Sequence, residues 1–300
     1  MDRAPFPACA VPAAAPIPAV AGIGLRFAHH DLVLAEQAAA WLEVHPENYL
    51  DEGRERDVLA AVRERYRLSL HATGLSLGST DGIDRNHLEA LARLCADIRP
   101  DLVSDHLSWS SAGGAWLPDL LPVPYTQEAL RVFTDNIDCV QQRLGRRILI
   151  ENPSVYLAFA GSEMTEAEFL ARLVAATGCG ILLDINNIAV SSINLGRDAE
   201  IALDRYLNAV PAAAIGEFHL AGHALRRLEN GAVRAIDDHG APVSPAVWDL
   251  FERAVRRVGR RPTLLEWDTD IPELTLLQRE AATADTVMNR AEAGMLAHAC

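Results

Sequence analysis

The sequence is poor in cysteine, and its cysteines form no recognisable pattern. There are five, an odd number, dispersed along the chain and never spaced as a C-x-x-C pair. A disulfide framework or a cysteine-rich zinc site is therefore not expected. Aromatic residues are also scarce, at 6% of the chain, but 50% of the residues are hydrophobic and 23% are charged. This composition is typical of a globular protein and excludes a disordered or fibrous one.

Positive charge is in short supply as well. The 27 basic residues stand against 41 acidic residues, which gives a formal net charge of −14. A protein that binds the phosphate backbone of a nucleic acid needs a basic surface. The charge balance therefore argues against a nucleic-acid partner.

Long uncharged runs are nearly absent. The one stretch long enough to cross a membrane, residues 4–25, contains five prolines, which break helix interiors, and no basic run precedes it. We therefore expect no membrane partner and no secretory signal, and the sequence predicts a cytoplasmic protein. The expected organisation is a flexible Ala/Pro leader over residues 1–19, one catalytic domain over 20–292 and a tail over 293–300.

Eight short apolar runs recur along the chain, and helical stretches lie between them. Such runs are typical of strands buried on both faces of a parallel sheet. Eight strands alternating with seven or eight helices over about 270 residues predict a single (β/α)8 barrel, the TIM-barrel fold. An open doubly wound sheet is less favoured, because no G-x-G-x-x-G or G-x-x-x-x-G-K-[ST] motif follows any run. The runs are Val20–Leu25, Trp41–His45, Arg67–His71, Leu102–His106, Arg147–Glu151, Gly180–Asp184, Ile215–Leu220 and Pro262–Glu266.

Several helices carry clear boundary signals. Ser244, followed by proline, predicts a helix start. Thr165 and Glu168 form a capping box, and Gly178 predicts the end of that helix. The longest irregular stretch, Ser108–Tyr125, follows the fourth run and is expected to be a loop at the catalytic mouth of the barrel.

The ends of the apolar runs are rich in residues that bind metals. The carboxyl ends of all strands in such a barrel converge on one mouth. Each of these residues alone is more often structural, but carboxylates this close would repel each other without compensating cations. Mixed imidazole and carboxylate donors suit iron, zinc or manganese, and their number predicts two or three ions. These residues are Glu43, His45, Glu47, His71, Asp105, His106, Glu151, Asp184, His219, His223, Asp237, His239, Glu266 and Asp268.

A nucleophilic mechanism has less support. No G-x-S-x-G motif occurs, and no cysteine lies at the carboxyl end of a predicted strand. Cys179 precedes the sixth run and is expected at the opposite face of the barrel. We therefore expect no catalytic residue beyond the metal ligands.

The ordered set of motifs resembles the multinuclear non-heme iron-dependent oxidative enzymes (MNIO). These are barrel proteins that oxidatively modify ribosomally made peptides, and they include the enzyme type of methanobactin biosynthesis. The resemblance extends from about Gly22 to Leu277, and the set in this order is specific, whereas each motif alone is not. The motifs are Gly22–Arg26, Leu42–Tyr49, Leu70–Ser79, Ser104–Trp109, Ile150–Ser154, Leu183–Asn187, His219–His223, Ile236–His239 and Leu265–Asp268.

The resemblance implies a xylose-isomerase-like barrel and three metal positions. The implied ligands of the first iron are His71, His106 and Glu151. Glu151 would bridge to a second iron, whose other implied ligands are Asp184, His219 and Glu266. The implied ligands of a third, more variably occupied position are Asn186, His223, Asp237 and His239.

Alternation along a strand distinguishes between adjacent residues in the third position. In a strand, residues two apart share a face. This argument places Asn186, and not Asn187, on the face of Asp184. It also pairs Asp237 with His239 and leaves the aspartate between them outside.

The resemblance further implies the reaction and its partners. Mixed Fe(II)/Fe(III) ions would bind a cysteine thiolate of a precursor peptide, with dioxygen as co-substrate, and a partner protein would recognise the leader of that peptide. Arg26, Glu47 and Asn48 either line the peptide channel or are ordinary polar residues at loop ends. The stretches Ser108–Tyr125 and Ala224–Val233 are either contacts for the peptide or its partner, or plain lid loops.

Two other functions remain open on the sequence. A non-redox zinc or manganese barrel enzyme, such as a sugar isomerase or epimerase or a phosphodiesterase, could use the same geometry. An interaction protein with a vestigial ligand cluster is the second. It predicts that the protein binds no metal and that removing His71 or Glu151 leaves stability unchanged.

Overall fold

The computed structural model describes residues 17–298, with side chains through residue 295. Residues 1–16, which make up most of the expected leader, lie outside the described residues. Ile17 is buried against Trp41 and Leu264. This residue therefore packs on the barrel instead of belonging to a flexible leader.

Eight parallel strands close into a barrel, which confirms the predicted TIM-barrel fold. The strands follow chain order around the ring, and the first closes it by pairing with the last. Nearly all their residues are buried, because helices cover the outside and side chains fill the interior. The strands are β1 (Ala21–Gly24), β2 (Trp41–Val44), β3 (Arg67–His71), β4 (Leu102–His106), β5 (Leu149–Glu151), β6 (Gly180–Asp184), β7 (Ile215–Leu220) and β8 (Thr263–Leu265).

Helices surround the barrel. Among residues 17–298, the α-helices are α1 (His30–Ala35), α2 (Arg54–Arg63), α3 (Arg85–Ile98), α4 (Gln127–Leu144), α5 (Glu166–Thr177), α6 (Ile185–Leu195), α7 (Ala199–Ala209), α8 (Pro245–Val258) and α9 (Leu274–His298). Short 3₁₀ helices span Phe27–His29, Pro46–Tyr49 and Ala212–Ala214. Helix α9 continues into the expected tail, so residues 293–298 are helical.

The predicted helix boundaries are confirmed. The Ser244 side chain accepts a hydrogen bond from a backbone amide of α8. Thr165 and Glu168 form the reciprocal capping box of α5. That helix ends at Gly178, whose φ of 69° is the left-handed conformation that glycine adopts without strain.

A large side chain closes the amino-terminal end of the barrel. Trp41 is fully buried, and its indole N–H donates to the carbonyl oxygen of Val20 at 2.9 Å. A Cβ atom on Gly22 would lie 2.3 Å from Cε2 of this ring. Gly22 therefore serves the packing of the barrel floor, far from the mouth.

Two antiparallel hairpins replace the expected mouth loops. The first hairpin (Trp109–Ala112 with Ala115–Leu121) lies in the stretch predicted to be irregular. Its two-residue turn, Gly113–Gly114, has positive φ at both positions, as hairpin turns of this length require. The second hairpin (Ala224–Arg227 with Val233–Ile236) covers most of the other expected loop.

Candidate metal centre

Three side chains meet where β3, β4 and β5 end. Oε2 of Glu151 lies 3.0 Å from Nε2 of His71 and 3.3 Å from Nε2 of His106. The two Nε2 atoms are 3.2 Å apart. All three side chains are buried. The donor atoms of two histidines and one carboxylate therefore face one small volume.

Neighbouring side chains fix how these donors are oriented. Nδ1 of His71 lies 2.8 Å from Oγ of Ser104, so Nε2 is the nitrogen free to bind a metal. Oε1 of Glu151 accepts a hydrogen bond from the side-chain amide of Asn187 at 2.9 Å. Oε2 of Glu151 has no hydrogen-bond partner among the described residues. This oxygen is the one that faces the histidines.

A second group adjoins the first. Nδ1 of His219, on β7, lies 3.1 Å from Oε2 of Glu266, which directly follows β8. Ligand atoms of Asp184, His219 and Glu266 lie within 4.8 Å of one another, and so do those of His71, Glu151 and His219. The two groups therefore share His219 and form one continuous cluster.

The two carboxylate oxygens of Asp184 have different roles. Helix α6 follows β6 without a loop, and Oδ1 of Asp184 caps it by accepting from the backbone N–H of Asn187 at 2.5 Å. Oδ2 is buried without a hydrogen-bond partner among the described residues. The carboxylate is thus a helix cap that leaves one oxygen available to a cation.

The four residues expected at the third position are brought together. Nδ1 of His223 lies 2.7 Å from Oδ1 of Asn186, whose amide donates to Oδ1 of Asp237 at 2.8 Å. Nε2 of His239 lies 2.8 Å from the same aspartate oxygen. His239 has a φ of 44°, a left-handed conformation that is uncommon outside glycine. Its ring is held between carboxylates on both sides.

The argument from strand alternation is wrong for the adjacent asparagines. Asn186 and Asn187 lie in the first turn of α6, where side chains follow a helical period. Both are buried, and they face different parts of the cluster, Asn186 toward Asp237 and Asn187 toward Glu151. Asn187, which the alternation argument excludes from the site, therefore orients Glu151.

Two buried carboxylates close to His219 are not among the ligands that the resemblance implies, and of the two only Glu43 is among the strand-end donors predicted from the sequence. Nε2 of His219 lies 3.3 Å from Oε1 of Glu43 and 4.0 Å from Oε1 of Glu217. Since Nδ1 faces Glu266, Glu43 is placed to fix the tautomer of His219. The sequence carries a signal for Glu217, because it lies two residues before His219 and alternation puts both side chains on the barrel interior.

Asp268 joins the third position to the rim of the mouth. Its Oδ2 lies 2.8 Å from Nδ1 of His239, and its Oδ1 lies 3.5 Å from Nε2 of His45. The Arg26 guanidinium forms an ion pair with the same Oδ1. These contacts lower the pKa of Asp268 far below its usual range, against the effect of burial. Arg26 is therefore engaged with a carboxylate of the centre.

The other two expected peptide contacts differ from each other. Oε1 of Glu47 accepts hydrogen bonds from the backbone amides of Thr73 and Gly74, at 3.0 and 2.9 Å. Glu47 therefore shapes the loop after β3. Asn48 is exposed beside it.

Burial and close charges drive the pKa values of the cluster apart. Burial opposes the protonation of His71, but Glu151 outweighs it and raises the His71 pKa to about 10. Burial lowers the His106 pKa to about 4. Burial, Glu151 and Asp237 together raise the pKa of Asp184 well above its usual value. Strongly perturbed groups collected in one cleft are typical of a functional site.

The donor set fits metal ions. Buried carboxylate oxygens without partners, as on Glu151 and Asp184, are costly unless a cation or a proton compensates them. Imidazole and carboxylate donors suit iron, zinc and manganese, and two histidines with one carboxylate form the triad of non-heme iron oxygenases. His71, His106 and Glu151 match that triad in composition.

The described cysteines do not offer a competing centre. Cys95 and Cys179 are buried, and Cys139 is half-buried. Burial raises the pKa of the Cys95 thiol to about 12. A thiol of this kind is a poor nucleophile at neutral pH.

No helix within residues 17–298 combines the length and the apolar character needed to cross a bilayer.

A protein-family model matches most of the chain. The family model described as "RiPP precursor modification enzyme MbnB/TglH/ChrH" matches residues 20–289, where RiPP denotes a ribosomally synthesised and post-translationally modified peptide.

Relatives align over nearly the whole chain. A UPF0276 protein of Vibrio vulnificus (strain CMCP6) is 46% identical over 269 residues, which cover 89% of this chain and 91% of the relative. A UPF0276 protein of Caulobacter vibrioides (strain NA1000 / CB15N) is 47% identical over 270 residues, covering 89% and 94%. Among solved structures, an L-ribulose 3-epimerase has a TM-score of 0.59 at 14% identity and covers 93% and 98%, a likeness of fold.

Proposed function

Because this chain belongs to the family of RiPP precursor modification enzymes MbnB/TglH/ChrH, we propose that it is a multinuclear iron, dioxygen-dependent oxidase. Its substrate is a cysteine residue of a ribosomally synthesised precursor peptide. The observation that carries the proposal is the convergence of His71, His106 and Glu151, with the unpartnered Oε2 of Glu151 facing both Nε2 atoms.

We assign the ligand roles as the resemblance implies, and the contacts described above support them. His71, His106 and Glu151 would hold one iron. Glu151 would bridge to a second, whose other ligands would be Asp184, His219 and Glu266. The third position would be formed by Asn186, His223, Asp237 and His239. When bound, iron would supply the redox chemistry and lower the pKa of the substrate thiol, since the thiolate is the metal ligand.

The remaining residues hold the donors in place. Ser104 orients His71, Asn187 orients Glu151, and Glu43 faces the nitrogen of His219 that points away from Glu266. Oriented donors of this kind matter because outer partners commonly change metal affinity 10–100-fold. Three residues were expected to contact the peptide, and Asn48 is the one of them that is exposed. A partner protein that recognises the peptide leader stays a prediction.

Metal content tests the proposal first. Protein purified anaerobically from iron-supplemented cells should contain two to three irons per chain by elemental analysis. Adding a synthetic cysteine peptide should change the optical band of ferric iron and, in air, cause oxygen uptake. The same peptide with serine in place of cysteine should do neither. Zinc or manganese with little iron, and no oxygen uptake, would instead favour a non-redox barrel enzyme.

A further inference from the structure

A cavity of about 480 Å³ opens beside the barrel mouth, outside the candidate metal centre. It lies between the loop after β5 and the helices α5, α6 and α7. Three apolar side chains that line it are exposed, Leu157 by 51%, Phe159 by 38% and Ile201 by 57%. Apolar side chains gathered around a concavity of this volume are typical of a binding site, whereas scattered ones are ordinary.

One wall of the cavity is polar and internally satisfied. Glu166 accepts hydrogen bonds from the hydroxyl of Tyr125 at 2.6 Å and from that of Tyr206 at 2.5 Å, one at each carboxylate oxygen. These contacts tie α5 to α7 and to the segment before α4. Glu166 therefore supports the cavity and leaves recognition of a charged ligand to other residues.

The cavity lining also includes two exposed cationic side chains. They are Arg197 and Arg205. Neither forms an ion pair with a carboxylate among the described residues. Asp198, the acid between them in the lining, is occupied as the cap of α7 and accepts from the Ile201 amide at 2.9 Å. In a protein with a net charge of −14, these two cations are placed to attract a carboxylate of the ligand.

The second hairpin adds positive charge on the same side. Arg226 and Arg234 lie directly opposite each other in its register. The Arg234 guanidinium donates to the carbonyl oxygen of Tyr156 at 2.9 Å, next to Leu157 at the cavity. Like charges directly opposite destabilise a hairpin. A bound acidic segment would relieve that repulsion.

Helix α6 connects the cavity to the metal centre. Asn187 in its first turn binds Glu151, whereas Ile188 and Leu195 line the cavity. Leu195 lies eight residues after Asn187, which is about 12 Å along the helix axis. Roughly four residues of extended peptide span that distance. A peptide with one residue at the centre can thus place a neighbouring residue in the cavity.

We propose that this cavity binds the precursor peptide itself. A large apolar side chain of the peptide enters it, and an adjacent carboxylate of the peptide pairs with Arg197 and Arg205. The cysteine that is modified lies about four residues away along the peptide. This inference rests on the proposed function, because it requires a peptide substrate at the metal centre.

Affinity selection from a synthetic peptide library tests this. The probe is a pool of short peptides with one cysteine at a fixed position and the other positions randomised, offered anaerobically to the metal-loaded protein and identified by mass spectrometry. Leu, Ile, Phe or Met should be enriched at a fixed distance of about four residues from the cysteine, next to Asp or Glu. A parallel serine pool should lose the fixed spacing.

Variants separate the cavity from the rest of the surface. The double variant Arg197→Glu/Arg205→Glu should lose the acidic preference and bind the selected peptides about tenfold more weakly or worse. Ala202→Trp, which places a bulky ring in the cavity from α7, should lose the apolar preference. Arg54→Glu is the matched control, because Arg54 is exposed at the start of α2, which follows the strand opposite β6 in the ring.

The outcomes distinguish a failure of the cavity inference from a failure of the proposed function. Equal selection by wild type and the double variant would overturn the inference. Apolar and acidic enrichment without fixed spacing from the cysteine would also overturn it, since the occupant would then be a segment of another protein. Failure of the proposed function appears separately, as no oxidation of the selected peptides by wild type in air. Equal oxidation by wild type and both cavity variants would refute the cavity and leave the function standing.

Discussion

Replacing Glu151 with glutamine should remove two metal ions at once. Glu151 faces both His71 and His106, and its neighbours include the group around His219. Glutamine keeps an oxygen for the hydrogen bond from Asn187 but places a neutral amide where the unpartnered Oε2 now lies. An amide is a weak ligand for iron and cannot bridge two ions as a carboxylate does. We therefore expect the metal content to fall by about two per chain.

The loss can be expressed as stability. An ion that binds only the folded protein stabilises it by about 2.7 kcal/mol when its free concentration is one hundred times its Kd. Two such positions contribute about 5 kcal/mol, which corresponds to about 10 °C in Tm for a domain somewhat smaller than this one. Thermal unfolding with added iron and with a chelator measures this difference. It should be present in wild type and nearly abolished in Glu151→Gln.

Two further variants make the result specific. Glu266→Gln should lose about one ion and about half of the metal-dependent stabilisation, because Glu266 contacts His219 and His239 but forms no ion pair with His71 or His106. Cys95→Ala, also buried, should keep the wild-type metal content and activity. The bridging assignment would be refuted by a Glu151→Gln protein that retained the wild-type metal content and the wild-type response to iron.

Other residues give further predictions. Glu43→Gln should weaken metal binding 10–100-fold while leaving the ligand set intact, because it changes the partner of His219; metal titration measures this. Glu47 lies 3.5 Å from His87, which has a raised pKa, whereas Glu47 has a lowered one. The pair should therefore stabilise the fold most between about pH 4.5 and 6.5 and less on either side, and His87→Gln should flatten that part of the stability profile. Ser244→Ala should lower the free energy of unfolding by about 1 kcal/mol in denaturant titrations, without changing metal content.

The barrel could be predicted because its signals are local and repeated. Each strand is a short run buried on both faces, and helices such as α8 begin at a capping residue that is visible in the sequence. The hairpins were not predicted because their residues are largely exposed, so they show no buried run. Their local signals were the Gly113–Gly114 pair in the first and the Asn230–Gly231 pair in the second.

Some parts of the site could be predicted from the sequence and others could not. Residues at strand ends, such as His71 and Glu151, could be placed together because the topology brings all strand ends to one mouth. The orientation of the Asn187 side chain could not be predicted, because β6 passes into α6 without a loop and the side-chain period changes there. The contact between Asp268 and Arg26 joins positions 242 residues apart and carries no local signal.

The direct passage from β6 into α6 has a consequence for how the molecule responds to metal. Asp184 offers one oxygen to the first turn of the helix and the other to the centre, so loading the centre and ordering the helix are linked equilibria. Linkage is reciprocal. A metal ion should slow hydrogen exchange along α6. It should also tighten the binding of a peptide that immobilises Leu195 at the far end of that helix, and the peptide should tighten metal binding by that same factor. Apoprotein and loaded protein would then differ in their affinity for peptide even at residues that no metal touches.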